Sequence, residues 1–351
     1  MNLPRDASEG TRTQLQDQDV LISITADIGI IGYVSSYVPK PAYINQHIAL
    51  VRFDSSDTNP KFIIYFLASE KPQKLFRTLT DAGAKAGMNL TTVRKIPIVL
   101  PPTKSEQDAI AEVLGDAGAL IESLEQLIAA KTEFKRGLMQ QLLTGRTRFE
   151  EFEGQEWKQA HLSDVAIESE LRNNGRLTEK SLYAVTKAYG MIPMRERVQG
   201  ESVERCKVVS KDWFAYNPMR LNIGSIAKWD NEEDVLVSPD YVVFRCDETR
   251  LDPDFLNHYR RSHRWTKFVE KSGDGSVRVR IWFSHLAELK LSLPPLPEQR
   301  RIAAVLNACD RELDLLREQL VEFKKQKQGL MQKLLTGQIR VKVDEAQAIG
   351  V

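Results

Sequence analysis

Cysteine is scarce in this chain: Cys206, Cys246 and Cys309 are the three in 351 residues, with no C-x-x-C pair among them. An odd, scattered set excludes a disulfide framework and a structural zinc site, and it points to a reducing compartment, the cytoplasm. Histidine is nearly as sparse. His47, His161, His258, His263 and His285 show no ligand spacing beyond a surface-like His258 and His263 pair, so neither a metal site nor a catalytic triad can be built from them. The dipeptide Gly-Lys is absent, which removes a P-loop; Gly273-Asp274-Gly275 is followed by Arg278 where a dinucleotide-binding loop needs its third glycine. No apolar run reaches the ~18 residues of a membrane helix, and the polar opening MNLPRDASEGTRTQLQDQD is unlike a signal peptide, so a soluble intracellular protein without a membrane partner is expected. An excess of one charge is missing too. Forty-nine Lys and Arg stand against 48 Asp and Glu, a net charge of +1, which excludes a polybasic or acidic tail but leaves room for local basic patches.

What the chain does have is a duplication. LPPTKSEQDAIAEVL from Leu100 returns as LPPLPEQRRIAAVL from Leu293, and GLMQQLLTGRTR from Gly137 returns as GLMQKLLTGQIR from Gly329; from Glu106 to Arg148 the second copy follows at a constant offset of 192. Each copy reads as a helix of about 37 residues. Pro101 and Pro102, and Pro294, Pro295 and Pro297, block continuation upstream; Thr103 or Ser105 can cap the first helix, and Gly145 and Gly337 sit where a left-handed C-terminal residue belongs. Apolar residues recur at heptad spacing: Ala117, Ile121, Leu124, Ile128, Leu138 and Leu142 in copy one, with Lys131 and Lys135 between, and Cys309, Leu313, Leu316, Leu320, Phe323, Leu330 and Leu334 in copy two, with Lys327 at the skipped place. Such stripes are too long to bury on one compact domain, and the two are expected to bury each other. The recurrence of Gly137 and Gly329 suggests close backbone approach or a tolerated weak spot in each helix, and the faces bearing Met139 and Met331 are expected to lie uncovered.

The blocks upstream of the helices are also duplicates. NQHIALVRFD from Asn45 matches SPDYVVFRCD from Ser238 at an offset of 193, as do Pro60 and Phe62 with Pro253 and Phe255, while DIGIIGYV from Asp27 matches NIGSIAKW from Asn222 at 195. IALVRF and YVVFRC read as strands, PKFIIYFLAS and PDFLNHYRRS as helices opened by proline, so an α/β or α+β fold is expected. The expected boundaries are a first block at 1–100, a helix at 101–147, a second block at 148–293, a helix at 294–341 and a tail at 342–351. The first block lacks a counterpart of the stretch from Trp157 to Val209, so it reads as incomplete at its N-terminal side.

This ordered set resembles the specificity subunit of type I restriction-modification enzymes over nearly the whole chain: a globular block, LPP-x(2,3)-EQ, a long helix ending GLMQ-x-LLTG, then the same again. Trp157 with Leu162, Tyr216-Asn217-Pro218-Met219-Arg220 with Ile223-Gly224-Ser225-Ile226, and Ser238-Pro239-Asp240-Tyr241 support it. The resemblance implies two target recognition domains, each reading one half of a split DNA sequence. It also implies that the helices pair as an antiparallel coiled coil, acting as spacer and as docking surface for methyltransferase subunits, two of them, with restriction subunits joining the complex. The chain is then non-catalytic, and S-adenosylmethionine, ATP and magnesium are expected on those partners, with no cofactor or metal here. Local charge agrees. Residues 61–95 carry seven basic and two acidic residues, and residues 254–288 carry seven and four. Phosphates draw on lysine and arginine, base edges on arginine and asparagine. The candidate DNA-binding residues are Lys85, Asn89 and Arg94 in the first block, and Lys187, Arg195, Arg197, Asn217, Arg220, Lys271, Ser276, Arg278 and Arg280 in the second.

Two other readings stand beside this one. A coiled-coil scaffold without DNA affinity would share the helices. A nuclease would use Pro239-Asp240 with Glu288-Leu289-Lys290, but those carboxylates correspond to His47 and Lys95 in the other copy, and Asn217-Pro218-Met219-Arg220 lacks the second proline and the aromatic of an amino-methyltransferase motif.

Overall fold

The structure is a computed structural model that describes residues 7–80, 88–194, 202–272 and 280–341. It falls into two compact units, residues 1–128 with 316–351 and residues 129–315, so each unit takes part of both long helices.

In the first unit a short helix, α1 (Ala7–Thr13), precedes strands β1 (Val20–Ser23), β2 (Ile31–Tyr33) and β3 (Ile48–Val51), then helices α2 (Pro60–Leu67), α3 (Glu70–Thr80), α4 (Leu90–Arg94) and the start of α5 (Lys104–Leu142). In the second unit come β4 (Lys158–His161), β5 (Ala166–Glu168), the hairpin β6 (Tyr183–Thr186) and β7 (Gly190–Pro193), β8 (Lys207–Val209), β9 (Phe214–Tyr216), β10 (Ile226–Lys228), β11 (Val235–Val237) and β12 (Val242–Cys246). They are followed by α6 (Pro253–Tyr259), α7 (His263–Lys271), α8 (Phe283–Ala287), β13 (Lys290–Leu293) and α9 (Leu296–Leu335).

The duplication extends to topology. The first unit has an antiparallel sheet in the order β2-β1-β3, and the second has β10-β9-β12 with β5 added beyond β12. Register matches as well: Val20 lies opposite Tyr33 and Val51, and Phe214 lies opposite Lys228 and Phe244. Because Tyr33 and Val51 align with Lys228 and Phe244, Val20 and Phe214 are equivalent positions. That equivalence steps the alignment by one residue at this strand. The apolar side chains of these strands build the cores. Val20 and Ile22 pack with Phe62, Ile63, Leu67 and Phe76 in one unit, and Phe214, Tyr216 and Phe244 pack with Phe255 and Leu256 in the other, with the Phe214 and Phe244 rings stacked at 5.0 Å. The helices after the third strand start alike. Pro60 and Pro253 sit in the first turn, Asn59 accepts from the amides of Lys61 and Phe62, and Asp252 accepts from that of Phe255.

The long helices have 39 and 40 residues. Thr103 Oγ1 accepts from the Glu106 amide and starts α5, Pro297 sits inside the first turn of α9, and Gly145 and Gly337 end the helices at φ of 70° and 71°. Within each unit the two helices run antiparallel. In the second, Lys131 pairs with Glu312 at 2.7 Å and Lys135 with Asp310; in the first, Glu125 pairs with Lys324 at 2.6 Å and Glu106 with Arg340. The lysines that interrupt the apolar stripe therefore make ion pairs across it. Lys327, equivalent to Lys135, faces Gly118 where Asp310 would be, and its ammonium lies 5.6 Å from the centre of the Tyr65 ring.

The Glu-Gln pair of the repeated motif is the clasp that joins helix to block. Gln107 accepts from the Asn59 amide at 2.9 Å and donates to the Asp57 carbonyl; Gln299 accepts from the Asp252 amide at 2.9 Å and donates to the Arg250 carbonyl. Glu298 is buried and receives both arms of Arg148, at 2.9 and 2.6 Å, and the Trp157 indole N–H at 3.2 Å, while Glu106 receives Arg340 in the same way. The terminal arginine of GRTR or GQIR thus returns to the first turn of the other helix.

The stripe departs from its expected course in three places. Leu124 and Leu313 are buried along it, and Ile121, Ile128, Leu316, Leu320 and Phe323 are half-buried. Leu142 and Leu334, however, leave the seam for the globular cores, with Leu138 packed beside Leu142, and Leu330 is exposed at 36%. Met139 and Met331, expected to be uncovered, pack against those cores instead, because the last helical turns are roofed by the blocks. A methyl group on Gly137 or Gly329 would meet no atom within 4 Å, so no close backbone approach explains either glycine.

Candidate nucleic-acid interface

The second unit gathers most of its described candidate residues around one turn. Asn217 Oδ1 accepts from the Met219 amide at 3.0 Å and shapes the Asn-Pro-Met-Arg turn, so that side chain is committed to its own backbone. The turn continues through a short 3₁₀ segment, Leu221–Ile223, and closes at Gly224, whose φ of 91° requires glycine. Ser225 Oγ donates to the Val185 carbonyl at 2.8 Å and ties the turn to the β6–β7 hairpin, whose tip is Lys187-Ala188-Tyr189. Thr186 holds that tip: its hydroxyl donates to the Gly190 carbonyl and accepts from the Tyr189 amide, both at 3.1 Å. The Lys187 stem crosses Gly224, with its Cγ 3.4 Å from where a Cβ would stand. Finally, the Ile281 amide donates to the Pro218 carbonyl at 3.0 Å, which pins Arg280 beside the same turn. Lys187, Arg220 and Arg280 are exposed and brought into one neighbourhood.

Between hairpin, turn and α7 lies a cleft of about 720 Å³, lined by Lys187, Tyr189, Asn222, Arg260, Trp265 and Val269 among others. Lys271 ends α7 and is part of that helix, not of the loop that follows it. Arg195, Arg197, Ser276 and Arg278 lie outside the described residues, as does Lys85 of the first unit. In the first unit Asn89 caps α4, accepting from the Thr92 amide at 2.9 Å, and Arg94 is exposed at the mouth of an apolar pocket of about 310 Å³ bounded by Val20, Ile22 and Leu50. Sequence reasoning passed over Arg260 and Tyr189. The duplicate carried the signal for Arg260, because its equivalent at an offset of 193 is Leu67.

Three acidic residues, Asp212, Asp230 and Asp254, bring carboxylate oxygens within 4.8 Å of one another. Their centre is filled by the Lys228 ammonium, 2.7, 2.6 and 2.9 Å from the three, which holds its own pKa above the ordinary lysine value against the cost of burial. His258 is not the surface residue that its spacing from His263 suggests. It is fully buried, its Nε2 shares a hydrogen bond of 2.8 Å with Asn307, and burial first, with the Lys135 and Arg261 cations, lowers its pKa to about 4. It is a neutral packing group at neutral pH.

The family model of the type I restriction modification DNA specificity domain matches residues 10–131 and 154–325. The chain belongs to this family. A Methanocaldococcus jannaschii protein provisionally named as the specificity subunit of the type I restriction enzyme MjaX is 25% identical over 345 residues, 92% of this chain and 79% of that one. The MjaVIII specificity subunit of the same organism is 25% identical over 328 residues, covering 84% and 74%. The fold is also that of the type I restriction-modification S subunit from M. genitalium, with a TM-score of 0.59 at 15% identity over 95% of this chain and 85% of the other. The specificity family's task is DNA recognition, and that is the function of this chain. No described helix is long and apolar enough to cross a membrane.

Proposed function

We propose that each unit of this specificity subunit reads one half of a bipartite duplex site. The observation that carries this is the repeated sheet, β2-β1-β3 and β10-β9-β12, in matching register and clasped to its helix by the same Glu-Gln pair. Two equivalent readers on one chain suit two half-sites, and the basic residues of each block supply phosphate contacts and base readout. The paired helices act as spacer and dock two methyltransferase subunits, and restriction subunits join that complex in the cytoplasm. The chain itself is non-catalytic: S-adenosylmethionine, ATP and magnesium serve the partners. Lys85, Arg94, Lys187, Arg195, Arg197, Arg220, Lys271, Ser276, Arg278 and Arg280 are the residues this reading assigns to DNA contact, while Asn89 and Asn217 shape the backbone beside them.

The test is methylation mapping on a random-sequence library, with the chain co-expressed with its modification subunit. Two short motifs separated by a gap of fixed length are expected. Four residues inserted after Gly145 lengthen the tether by about 12 Å and lengthen the gap with unchanged motifs. A single contiguous motif, or altered bases at an unaltered gap, refutes the assignment.

A further inference from the structure

Arg260 occupies a position that the fold treats as core. At an offset of 193, α2 and α6 align from Pro60 with Pro253, and Arg260 takes the place of Leu67, which is 2% exposed in the first unit. An arginine there is costly. Burial first and the neighbouring Arg261 lower its pKa, to about 9, with the Asp230 charge partly opposing them, and it remains a cation at neutral pH. Its Nε donates to Asn257 Oδ1 at 2.8 Å, and among the described residues no carboxylate pairs with it. Two of the other cations lining the cleft are engaged, Lys228 by Asp212, Asp230 and Asp254 and Arg261 by Asp310 at 3.3 Å, whereas Lys187 makes no ion pair among the described residues. Asp230, the one carboxylate lining the cleft among the described residues, belongs to the Lys228 cluster.

In the first unit Leu67 lines the apolar pocket near Arg94, but the side toward Gly29 is closed. Phe76, the equivalent of Val269, lays its ring on Gly29, the equivalent of Gly224, so that a Cβ on Gly29 would stand 2.6 Å from it. Gln73, the equivalent of Thr266, donates to the Gly29 carbonyl at 2.8 Å. In the second unit Val269, Thr266 and Gly224 instead line the open cleft of about 720 Å³. Its rim carries Lys187 and, on a hairpin with no counterpart among the described residues of the first unit, Tyr189 at 79% exposure. A local rule of burial is thus broken in one copy only, and it is broken toward an opening with surplus positive charge.

We propose that this cleft seats a backbone phosphate of duplex DNA on Arg260, with Lys187 at its rim, and that the first unit has no such seat. The proposal rests on the DNA-recognition reading. A guanidinium half-withdrawn from water, oriented by Asn257 and with no carboxylate in ion-pair contact among the described residues, is completed by an anion with several acceptor oxygens. A phosphate contact of this kind fixes register and orientation without selecting bases.

The experiment uses the full chain in complex with its modification subunit and measures affinity for its selected duplex across a salt series. Arg260→Leu, which installs the residue of the other copy, is expected to lower affinity about tenfold and to flatten the slope of log K against log salt by about 1, with the selected bases unchanged. Arg260→Lys should recover the slope. Should Arg260→Leu fail to fold, Lys187→Ala is read against wild type on duplexes bearing one methylphosphonate at a time. One neutralised phosphate in the second unit's half-site should weaken wild type strongly and Lys187→Ala less, and equal effects at every phosphate overturn the seat. Wild-type binding together with a folded Arg260→Leu that keeps its affinity and slope overturns the seat alone; a wild type that binds no duplex overturns the DNA reading with it. If inorganic phosphate raises the melting temperature of wild type but not of Arg260→Leu, while their DNA salt slopes agree, the site serves free phosphate and the duplex assignment fails.

Discussion

Removing Arg148 tests whether the repeated Glu-Gln motif is a clasp. Glu298 is 1% exposed, and its carboxylate is held by two hydrogen bonds from Arg148 and one from the Trp157 indole. Arg148→Ala leaves that charge in place with a single neutral donor, and stranding one member of a buried pair costs about 3–5 kcal/mol. At about 2–4 °C per kcal/mol for a unit of this size, the transition of the second unit should fall by roughly 6–20 °C in differential scanning calorimetry. The double change Arg148→Met with Glu298→Leu removes both charges and should recover much of that loss, since apolar replacement of a whole buried pair is often neutral. Arg340→Ala, the equivalent change in the first unit, should do less, because that guanidinium is 63% exposed and water can take its place. An Arg148→Ala protein that melts within about 2 °C of wild type, or a double variant worse than the single one, would refute the clasp.

The remaining expectations concern single positions. His258 has a folded pKa near 4 against an unfolded value of about 6.5, so its contribution is fully present above pH 6.5 and is lost as pH falls toward 4. Wild type should therefore lose roughly 3 kcal/mol over that window which His258→Asn does not lose, and parallel melting curves from about pH 7 to 4.5 would count against it. Lys228→Ala leaves Asp212, Asp230 and Asp254 unneutralised; the variant should melt lower and regain stability with added magnesium, whereas wild type should be indifferent to the ion. Gly137→Ala should stabilise the chain by about 0.5–1 kcal/mol, since it is a helix-interior glycine in open space, and denaturant titration showing a loss would reveal a contact there. Gly29→Ala should cost several times more, because its φ of 90° and the Phe76 ring both exclude a side chain.

Sequence alone determined the duplication, the long helices with their proline starts and glycine ends, the strand and helix order after Asn45 and Ser238, and the family. These are local or periodic signals: a heptad stripe marks an apolar face, a proline sets its own φ, and a repeat is read by counting. What covers a face is decided elsewhere in the chain. The stripe could not show that Leu142 and Leu334 would turn into the cores, that Leu330 would stay in water, or that Lys135 would find Asp310 175 residues away. Asn89 and Asn217 had the right chemistry for base edges, yet their backbones claim the side-chain oxygens first. Likewise His258 looked like a surface residue until the helix carrying Asn307 packed over it. Arg260 shows the limit most plainly. Its residue type and its alignment with Leu67 were legible in the sequence, but only tertiary packing showed that one copy closes that space with Phe76 while the other opens it as a cleft, because a cavity is made by side chains from separate elements failing to meet.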